Sequence, residues 1–232
     1  FLNLTFNFPN MEKTNKDDFI ELEFTGLVKD GEIFDTNRKE DAEKIDLKIG
    51  PKPMIISIGH DMILPGLDKD LEGKEIGKSY EVELQPKDAF QERKKELIRL
   101  IPKSAFTAQN LDPKPGMTLA LDQTLVRIAS VSGGRVLVDF NNPLSGKVII
   151  YKYKILKKVT DIKPKIQSII DFFFKGQKIE FEIKEKKAII KTLAVYKPMI
   201  EELNKRFKDI LGYELDIEEV KEEKENNPSP SQ

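Results

Sequence analysis

Few side chains in this 232-residue chain could act as a nucleophile, a general base or a metal ligand. The chain has no cysteine and a single histidine, His60, so a thiolate metal site, a cysteine nucleophile and a histidine-based triad are all disfavoured. The acidic residues form no paired-carboxylate motif, and neither glycine-rich phosphate-binding pattern occurs. The residues therefore predict no cofactor and no metal site, and we interpret His60 as a loop residue.

The composition also excludes several kinds of partner. The 39 basic and 40 acidic residues leave a net charge of -1, so no global charge attracts nucleic acid or an anionic membrane. No apolar run is long enough to cross a bilayer, and without cysteine the chain has no disulfide framework. We expect a soluble cytoplasmic protein of two or three small units.

In the first part of the chain, alternating apolar residues predict strands joined by tight turns. The pair Asp30-Gly31 is a hairpin signal, and Pro65 with Leu67 and Leu71 predicts a short helix that ends at Gly73. The expected strands are 19–28, a short one at 33–34, 54–58 and 80–84, with a polar loop over 36–51 that contains one helical turn.

The character of the sequence changes at Gln91. Residues 91–106 are basic and predicted to be partly helical, and three strand candidates follow at 117–121, 124–131 and 135–140. A long strand is expected over 148–159. In the last third, two amphipathic helices are predicted to start near Pro164 and Pro198. The pattern of this region predicts an α-β-β-α-β order.

Four segments carry a resemblance to a known family. They are "FTGLVKDGEIFDTN" (24–37), "GHDMILPGLDKDLEGKEIGKSYEVEL" (59–84), "PKDAF" (86–90) and "VDFNNPLSGK" (138–147). In order and spacing they resemble the FKBP-type peptidyl-prolyl cis-trans isomerases, in particular the SlyD-like branch and its long-chain archaeal type. The resemblance implies an α+β fold: an FKBP-like half-barrel sheet on a short helix, with an inserted small β-rich insert-in-flap domain and a C-terminal α/β domain.

The domain boundaries follow from that resemblance and from the pattern. Residues 1–16 are interpreted as a leader or an over-extended start, since Met11 is a plausible first residue, and 221–232 as a disordered tail. The isomerase domain is expected to be discontinuous, over 17–91 and 141–159. The insert-in-flap chaperone domain takes 92–140, and the C-terminal α/β domain takes 160–220.

The resemblance also implies an apolar site that binds the prolyl bond and twists it. The residues assigned to catalysis are Phe24, Asp35, Ile63, Leu64, Phe90 and Tyr151. Those assigned to substrate binding are Phe34, Met54, Ile56 and Leu67. The backbone N–H of Leu64 is expected to receive a substrate carbonyl, and Leu67 is expected to form the pocket floor. An alternative interpretation makes Phe24, Ile56 and Leu67 ordinary core residues and Asp35 a turn residue.

The chain departs from the family pattern at several of these positions. Tyrosine is frequent in the family where this chain has Phe24 and Phe90, and an aromatic residue is common in place of Met54 and Leu67. Gln91 stands where glycine is usual, and Asn142 where the SlyD-like signature has histidine. We expect weaker or differently tuned isomerase activity on an unchanged fold.

The expected partners are unfolded or nascent polypeptides that contain proline. A holdase chaperone with a degenerate isomerase pocket is the alternative function. A homodimer through the C-terminal domain is a further hypothesis, based on its two amphipathic helices. The basic cluster Arg93, Lys94, Lys95, Arg99 and Lys103 is interpreted as a solvated helix face, with contact to ribosomal RNA as the weaker alternative.

Overall fold

The computed structural model describes residues 12–29, 31–47, 52–121, 124–174, 179–192 and 194–219. Its elements form three sheets, each with its own helices. The predicted leader lies mostly outside the described residues, and the predicted tail lies wholly outside them. Asp30 of the predicted hairpin and Gly176, the expected helix stop, also lie outside.

The first sheet contains five strands in the order β2-β1-β9-β4, with β3 paired to β1. Its strands and helices are β1 (Phe19–Val28), β2 (Ile33–Thr36), α1 (Lys39–Ala42), β3 (Met54–Ser57), α2 (Pro65–Asp70) and β4 (Ser79–Leu84). Strand β9 (Ile149–Lys158) returns to this sheet after the second one and lies between β1 and β4. Its position confirms the predicted long strand, which is needed to complete the first sheet.

The second sheet has four antiparallel strands and lies between β4 and β9 in the sequence. Its elements are β5 (Ile98–Pro102), α3 (Lys103–Thr107), β6 (Thr118–Leu121), β7 (Thr124–Ser132) and β8 (Arg135–Asp139), in the order β5-β8-β7-β6. Five buried residues form a core separate from that of the rest of the chain: Phe106, Val126, Ile128, Val136 and Val138.

The prediction that residues 91–106 are partly helical is confirmed in part. Lys95–Leu97 forms a 3₁₀ turn and α3 begins at Lys103, but the residues between them form β5, which was not predicted and which pairs with β8 from Ile98↔Asp139 to Pro102↔Arg135. The basic cluster is therefore not one helix face. Arg93 pairs with Asp139 and Lys103 with Asp112, so two of its charges have carboxylate partners inside this region.

The third sheet follows the predicted α-β-β-α-β order. Its elements are α4 (Ile162–Phe173), β10 (Glu180–Lys184), β11 (Lys187–Thr192), α5 (Lys197–Leu211) and β12 (Glu214–Glu219). Strand β11 is antiparallel to β10 and parallel to β12. Gly212 ends α5 in a left-handed conformation with φ of 67°, which glycine adopts without a Cβ clash.

The first and third sheets share one continuous apolar core. Helix α4 packs against β3, and the Lys165 ammonium lies 5.2 Å from the centre of the Phe19 ring on β1. Ile166 and Ile169 on α4 are buried in the same core as Ile20 and Ile56. The last part of the chain therefore contacts the first sheet directly.

Candidate active site

Four aromatic rings meet on the first sheet and its adjoining loop. Tyr151 on β9 makes edge contacts with Phe24 on β1, at 5.6 Å between ring centres, and with Phe34 on β2, at 6.0 Å. Phe34 also contacts Phe90, which follows the 3₁₀ turn Pro86–Asp88, at 5.6 Å. The structure thus brings together four residues that are far apart in the sequence.

Gly26 makes this ring cluster sterically feasible. It lies on β1 opposite both Asp35 and Tyr151 in the strand register. A Cβ at this position would lie 2.8 Å from the Phe34 Cζ and 3.1 Å from two carbons of the Tyr151 ring. The rings occupy the space that any other residue would fill.

The loop before α2 and the start of that helix carry the next group of predicted residues. Leu67 is 1% exposed and faces the core, while Ile63 and Leu64 are partly buried against it. Leu64 has φ of −57° and ψ of 137° and precedes Pro65, which suits the first position of a helix. In the part of the chain that the structure describes, no acceptor pairs with the Leu64 backbone N–H.

Asp68 fixes this loop and was missed in the sequence analysis. Its carboxylate is buried and accepts hydrogen bonds from the backbone N–H groups of Gly59, at 2.9 Å, and Asp61, at 3.1 Å. Both donors belong to the loop that joins β3 to Ile63. An aspartate in the first turn of a helix, after a glycine-containing loop, is a weak signal that could have suggested this role.

Asn37 and Thr36 hold the hairpin partner of β1 and were also missed as positioning residues. The Asn37 side chain accepts from the Phe24 N–H at 2.7 Å and donates to the Leu22 carbonyl at 2.8 Å. The Thr36 hydroxyl donates to the Phe24 carbonyl at 2.9 Å. The backbone on both sides of Phe24 is therefore fixed by side chains.

Asp35 lies at the rim of this site with its side chain exposed. Partial desolvation raises the pKa of its carboxyl above the ordinary value, and a hydrogen bond from the Thr36 backbone opposes that rise. The pKa of the Tyr151 hydroxyl is also raised, first by burial and then by the nearby negative charge of Asp35. Both groups therefore ionise less readily than they would in water.

A cleft of about 1070 Å³ opens beside the ring cluster. Of the predicted site residues, Phe24, Asp35 and Met54 line it. The opposite wall belongs to α4 and to β10, through residues that include Gln167, Phe172 and Phe181. Phe34, Ile63, Leu64, Phe90 and Tyr151 lie outside its lining, so the cleft adjoins the predicted pocket without containing all of it.

Ile56 fits the core interpretation better than the site interpretation. It is 0% exposed, pairs with Ile20 across β1 and β3, and does not line the cleft. Its neighbours Met54 and Ile55 are partly exposed and do line it. The direct substrate contact assigned to Ile56 therefore stays a prediction without a matching surface.

The connection between the first and second sheets is made by a buried amide. The Asn141 side chain accepts from the Lys94 N–H at 2.8 Å and donates to the Lys94 carbonyl at 3.0 Å and to Asp139 at 2.7 Å. Next to it, Gly146 donates to the Gln91 carbonyl at 2.9 Å. The chain thus enters and leaves the second sheet side by side.

Two further observations concern kinds of function that need other groups. Within the described ranges, no three histidine, aspartate or glutamate side chains come together in a way that could hold a metal ion. Among those same residues, no helix is long and apolar enough to span a membrane. The Nε2 atom of His60 lies 2.8 Å from the Oδ1 atom of Asp17.

Comparison with known proteins gives matches over the first two sheets. The family model described as FKBP-type peptidyl-prolyl cis-trans isomerase matches residues 10–108. A second family model, described as FKBP26, IF domain, matches residues 99–144. The two matches together span residues 10–144, which include Phe24, Phe34 and Phe90 of the ring cluster but not Tyr151 on β9.

Individual relatives agree with the family models. A short-type peptidyl-prolyl cis-trans isomerase of Methanocaldococcus jannaschii is 27% identical over 152 residues, which is 64% of this chain and 94% of the relative. The SlyD protein of Haemophilus influenzae is 29% identical over 124 residues, 51% of this chain and 64% of the relative. The match thus spans less than two thirds of that SlyD protein.

Among solved structures, the three FKBP domains of wheat FKBP73 align with 65% of this chain and 42% of theirs, at 14% identity and a TM-score of 0.35. The two family models and the two sequence relatives confirm the predicted resemblance and the α+β FKBP-like fold class: over residues 10–108 the chain is similar to the FKBP-type peptidyl-prolyl cis-trans isomerases.

Proposed function

We propose that the chain accelerates rotation about X-Pro bonds in unfolded or nascent polypeptides, while the second sheet holds the client. The observation that carries the first half is the convergence of Phe24, Phe34, Phe90 and Tyr151, on the same core as Leu64, whose N–H has no acceptor among the described residues. This arrangement offers an apolar wall and one donor, with no nucleophile.

An apolar site can accelerate this rotation by favouring the twisted form of the amide. Rotation about a peptide bond has a barrier of about 18–20 kcal/mol because amide resonance must be broken. That resonance separates charge, so an apolar surface favours the less polar twisted form over the planar one. A hydrogen bond from Leu64 to the carbonyl before the proline would hold the peptide in that geometry, and no proton transfer is required.

The second sheet supports the client-holding part of the proposal. Leu100, Met117 and Leu125 are 55%, 37% and 55% exposed, which is unusual for large apolar side chains. Leu100 is paired in register with the partly buried Leu137, and Leu125 with the exposed Ala120. Apolar side chains on one sheet face would bind the apolar segments that unfolded proteins expose.

The isomerase part is tested with a prolyl tetrapeptide and the intact chain. The proposal expects a cis–trans relaxation rate that rises linearly with protein concentration. A rate equal to the uncatalysed one at every concentration would refute it. Refolding of a proline-limited protein by the same samples shows whether a protein substrate is also turned over.

The client-holding part is tested with the double variant Leu100→Ser, Leu125→Ser. Both side chains are exposed, so the fold should tolerate the change, and suppression of aggregation of an unfolded client should fall. The exposed pair Thr118→Ala, Ser130→Ala on the same sheet is the matched control. Equal suppression by both double variants and the unaltered chain would refute this part.

A second candidate function is a holdase with a degenerate isomerase pocket. Phe34, Phe90 and Tyr151 lie outside the lining of the large cleft, which favours this alternative because a proline ring needs space between those rings. Under it, the tetrapeptide would not be turned over while aggregation would still be suppressed.

The remaining partner and location predictions stay proposals. Val195, just before α5, is 74% exposed and is consistent with a homodimer through the last sheet. Light scattering of the intact chain and of a version ending near Lys158 tests it, and two monomers would refute it.

RNA contact by the basic cluster predicts steeply salt-dependent binding. Location in the cytoplasm stays a prediction from the sequence.

A further inference from the structure

We propose that the last sheet and α4 form part of the substrate site, as a second wall that binds the polypeptide segment flanking the proline. The inference rests on the proposed isomerase function and extends the same site. Its occupant is an extended, partly apolar stretch of the client chain. The cleft next to the ring cluster is the place where that stretch would lie.

The cleft is continuous with the predicted prolyl site. Phe24, Asp35 and Met54 belong both to the predicted prolyl site and to the lining of the cleft. A peptide whose proline contacts the Phe24 edge of the ring cluster therefore continues directly into the cleft. The volume of about 1070 Å³ exceeds what one proline ring requires and reaches the upper end of the range for small-molecule pockets.

The part of the lining that belongs to α4 and β10 carries both apolar and polar side chains. Phe172 on α4 and Phe181 on β10 are partly exposed and line the same cleft as Met54, while Gln167 and Asp171 line it with polar groups. The Gln167 amide donates to Asp171 at 2.8 Å. Such a wall suits a peptide with an apolar side chain on one face and solvated groups on the other.

Strand β10 lies at the edge of the third sheet. In the described part of the chain, β10 has a hydrogen-bonded neighbour on one side only, namely β11. Ile179, Glu180 and Phe181 at its start line the cleft, so unpaired backbone groups lie beside the site. An extended peptide can add to such an edge through main-chain hydrogen bonds, which require no particular sequence. This property fits an enzyme that acts on many unfolded chains.

The test compares three peptides that share one prolyl core. The first is the tetrapeptide alone, the second is a decapeptide extended on both sides with valine and phenylalanine, and the third is a decapeptide extended with glycine and serine. For the intact chain, we expect kcat/KM for the apolar decapeptide to exceed that for the tetrapeptide by about tenfold, equivalent to burying one apolar side chain. The glycine–serine decapeptide should gain less than that.

The variant Gln167→Trp places a bulky ring in the cleft without touching a predicted catalytic residue. It should remove the advantage of the apolar decapeptide, so that kcat/KM of this variant is the same for the apolar decapeptide and the tetrapeptide within about twofold. Lys205→Trp, on an exposed position of α5, is the matched control and should behave like the unaltered chain. Circular dichroism and thermal melting show whether each variant is folded.

The outcomes separate this inference from the function on which it rests. No turnover of any peptide would refute the isomerase function itself. Turnover of the tetrapeptide with no advantage for the apolar decapeptide would refute the second wall and leave the isomerase function intact. An advantage that survives in Gln167→Trp would also refute the second wall, since the cleft would then not be the place of binding.

Discussion

Gly26→Ala tests whether the four-ring cluster is the working surface. The new Cβ would lie 2.8 Å from the Phe34 Cζ and 3.1 Å from Tyr151. Carbon atoms in contact prefer about 3.5–4.0 Å, so the Phe34 ring must move by roughly 0.7–1.2 Å. Overpacking of this kind costs about 1–3 kcal/mol in the free energy of unfolding.

The same displacement should have a larger effect on catalysis. A misplacement of about 1 Å in a catalytic surface can lower the rate by roughly a hundredfold. We therefore expect kcat/KM for the tetrapeptide to fall by between about ten- and a hundredfold, at a protein concentration and temperature where urea titration shows the variant is folded. The backbone at Gly26 is not left-handed, so alanine causes no strain of its own.

A second substitution checks the cause. Phe34→Leu in the Gly26→Ala background removes the ring atom that clashes, so part of the lost unfolding free energy should return. Wild-type kcat/KM in folded Gly26→Ala would refute the assignment of the ring cluster to the site. A loss of stability that Phe34→Leu does not relieve would show that the clash was misjudged.

Three further predictions concern neighbouring positions. Gln91 has φ of 66°, so Gln91→Gly should raise the unfolding free energy by about 1 kcal/mol in urea titration, and a loss of stability would contradict the strain. Asn141→Ala leaves the Lys94 N–H and carbonyl without their partner and should cost about 2–3 kcal/mol, whereas a cost under about 0.5 kcal/mol would show that the amide does not hold the connection. Because partial desolvation raises the pKa of Asp35, its ionised form costs stability at neutral pH, and that cost shrinks as the pH falls through the folded-state pKa and is gone below the unfolded-state pKa. Asp35→Asn should therefore melt higher than wild type at neutral pH, with the gap narrowing toward the unfolded-state pKa of about 3.9, and a gap that widens in acid would contradict the sign.

Much of the first sheet could be predicted because its strands alternate apolar and polar residues and its turns carry strong signals. Helix α5 was predicted for the same kind of reason, with Pro198 in its first turn and Gly212 at its end. Strand β5 could not be, since the apolar residues of 97–101 suit a helix as well as a strand, and pairing with β8 decides the outcome.

The site divides in a similar way. The ring cluster could be predicted from the resemblance, because Phe24, Phe34 and Phe90 lie in matched segments and Tyr151 follows the last of them by four residues. The second wall of the cleft could not, since it depends on how α4 packs against β3, a contact between segments about a hundred residues apart in sequence. The roles of Asp68 and Asn37 were missed because each accepts a hydrogen bond from a backbone N–H group, and the residue type alone does not predict that partner.

The most direct test of the central claim is the tetrapeptide isomerisation rate of Leu64→Pro. Leu64 already has a proline-like φ of −57°, and its N–H has no acceptor in the described chain, so proline removes the donor at little backbone cost. Leu64→Ala keeps the donor and serves as the control for the lost side chain. If Leu64 donates to the substrate, kcat/KM for Leu64→Pro should lie about two- to tenfold below that for Leu64→Ala, corresponding to one hydrogen bond. Equal rates for the two folded variants would contradict the account.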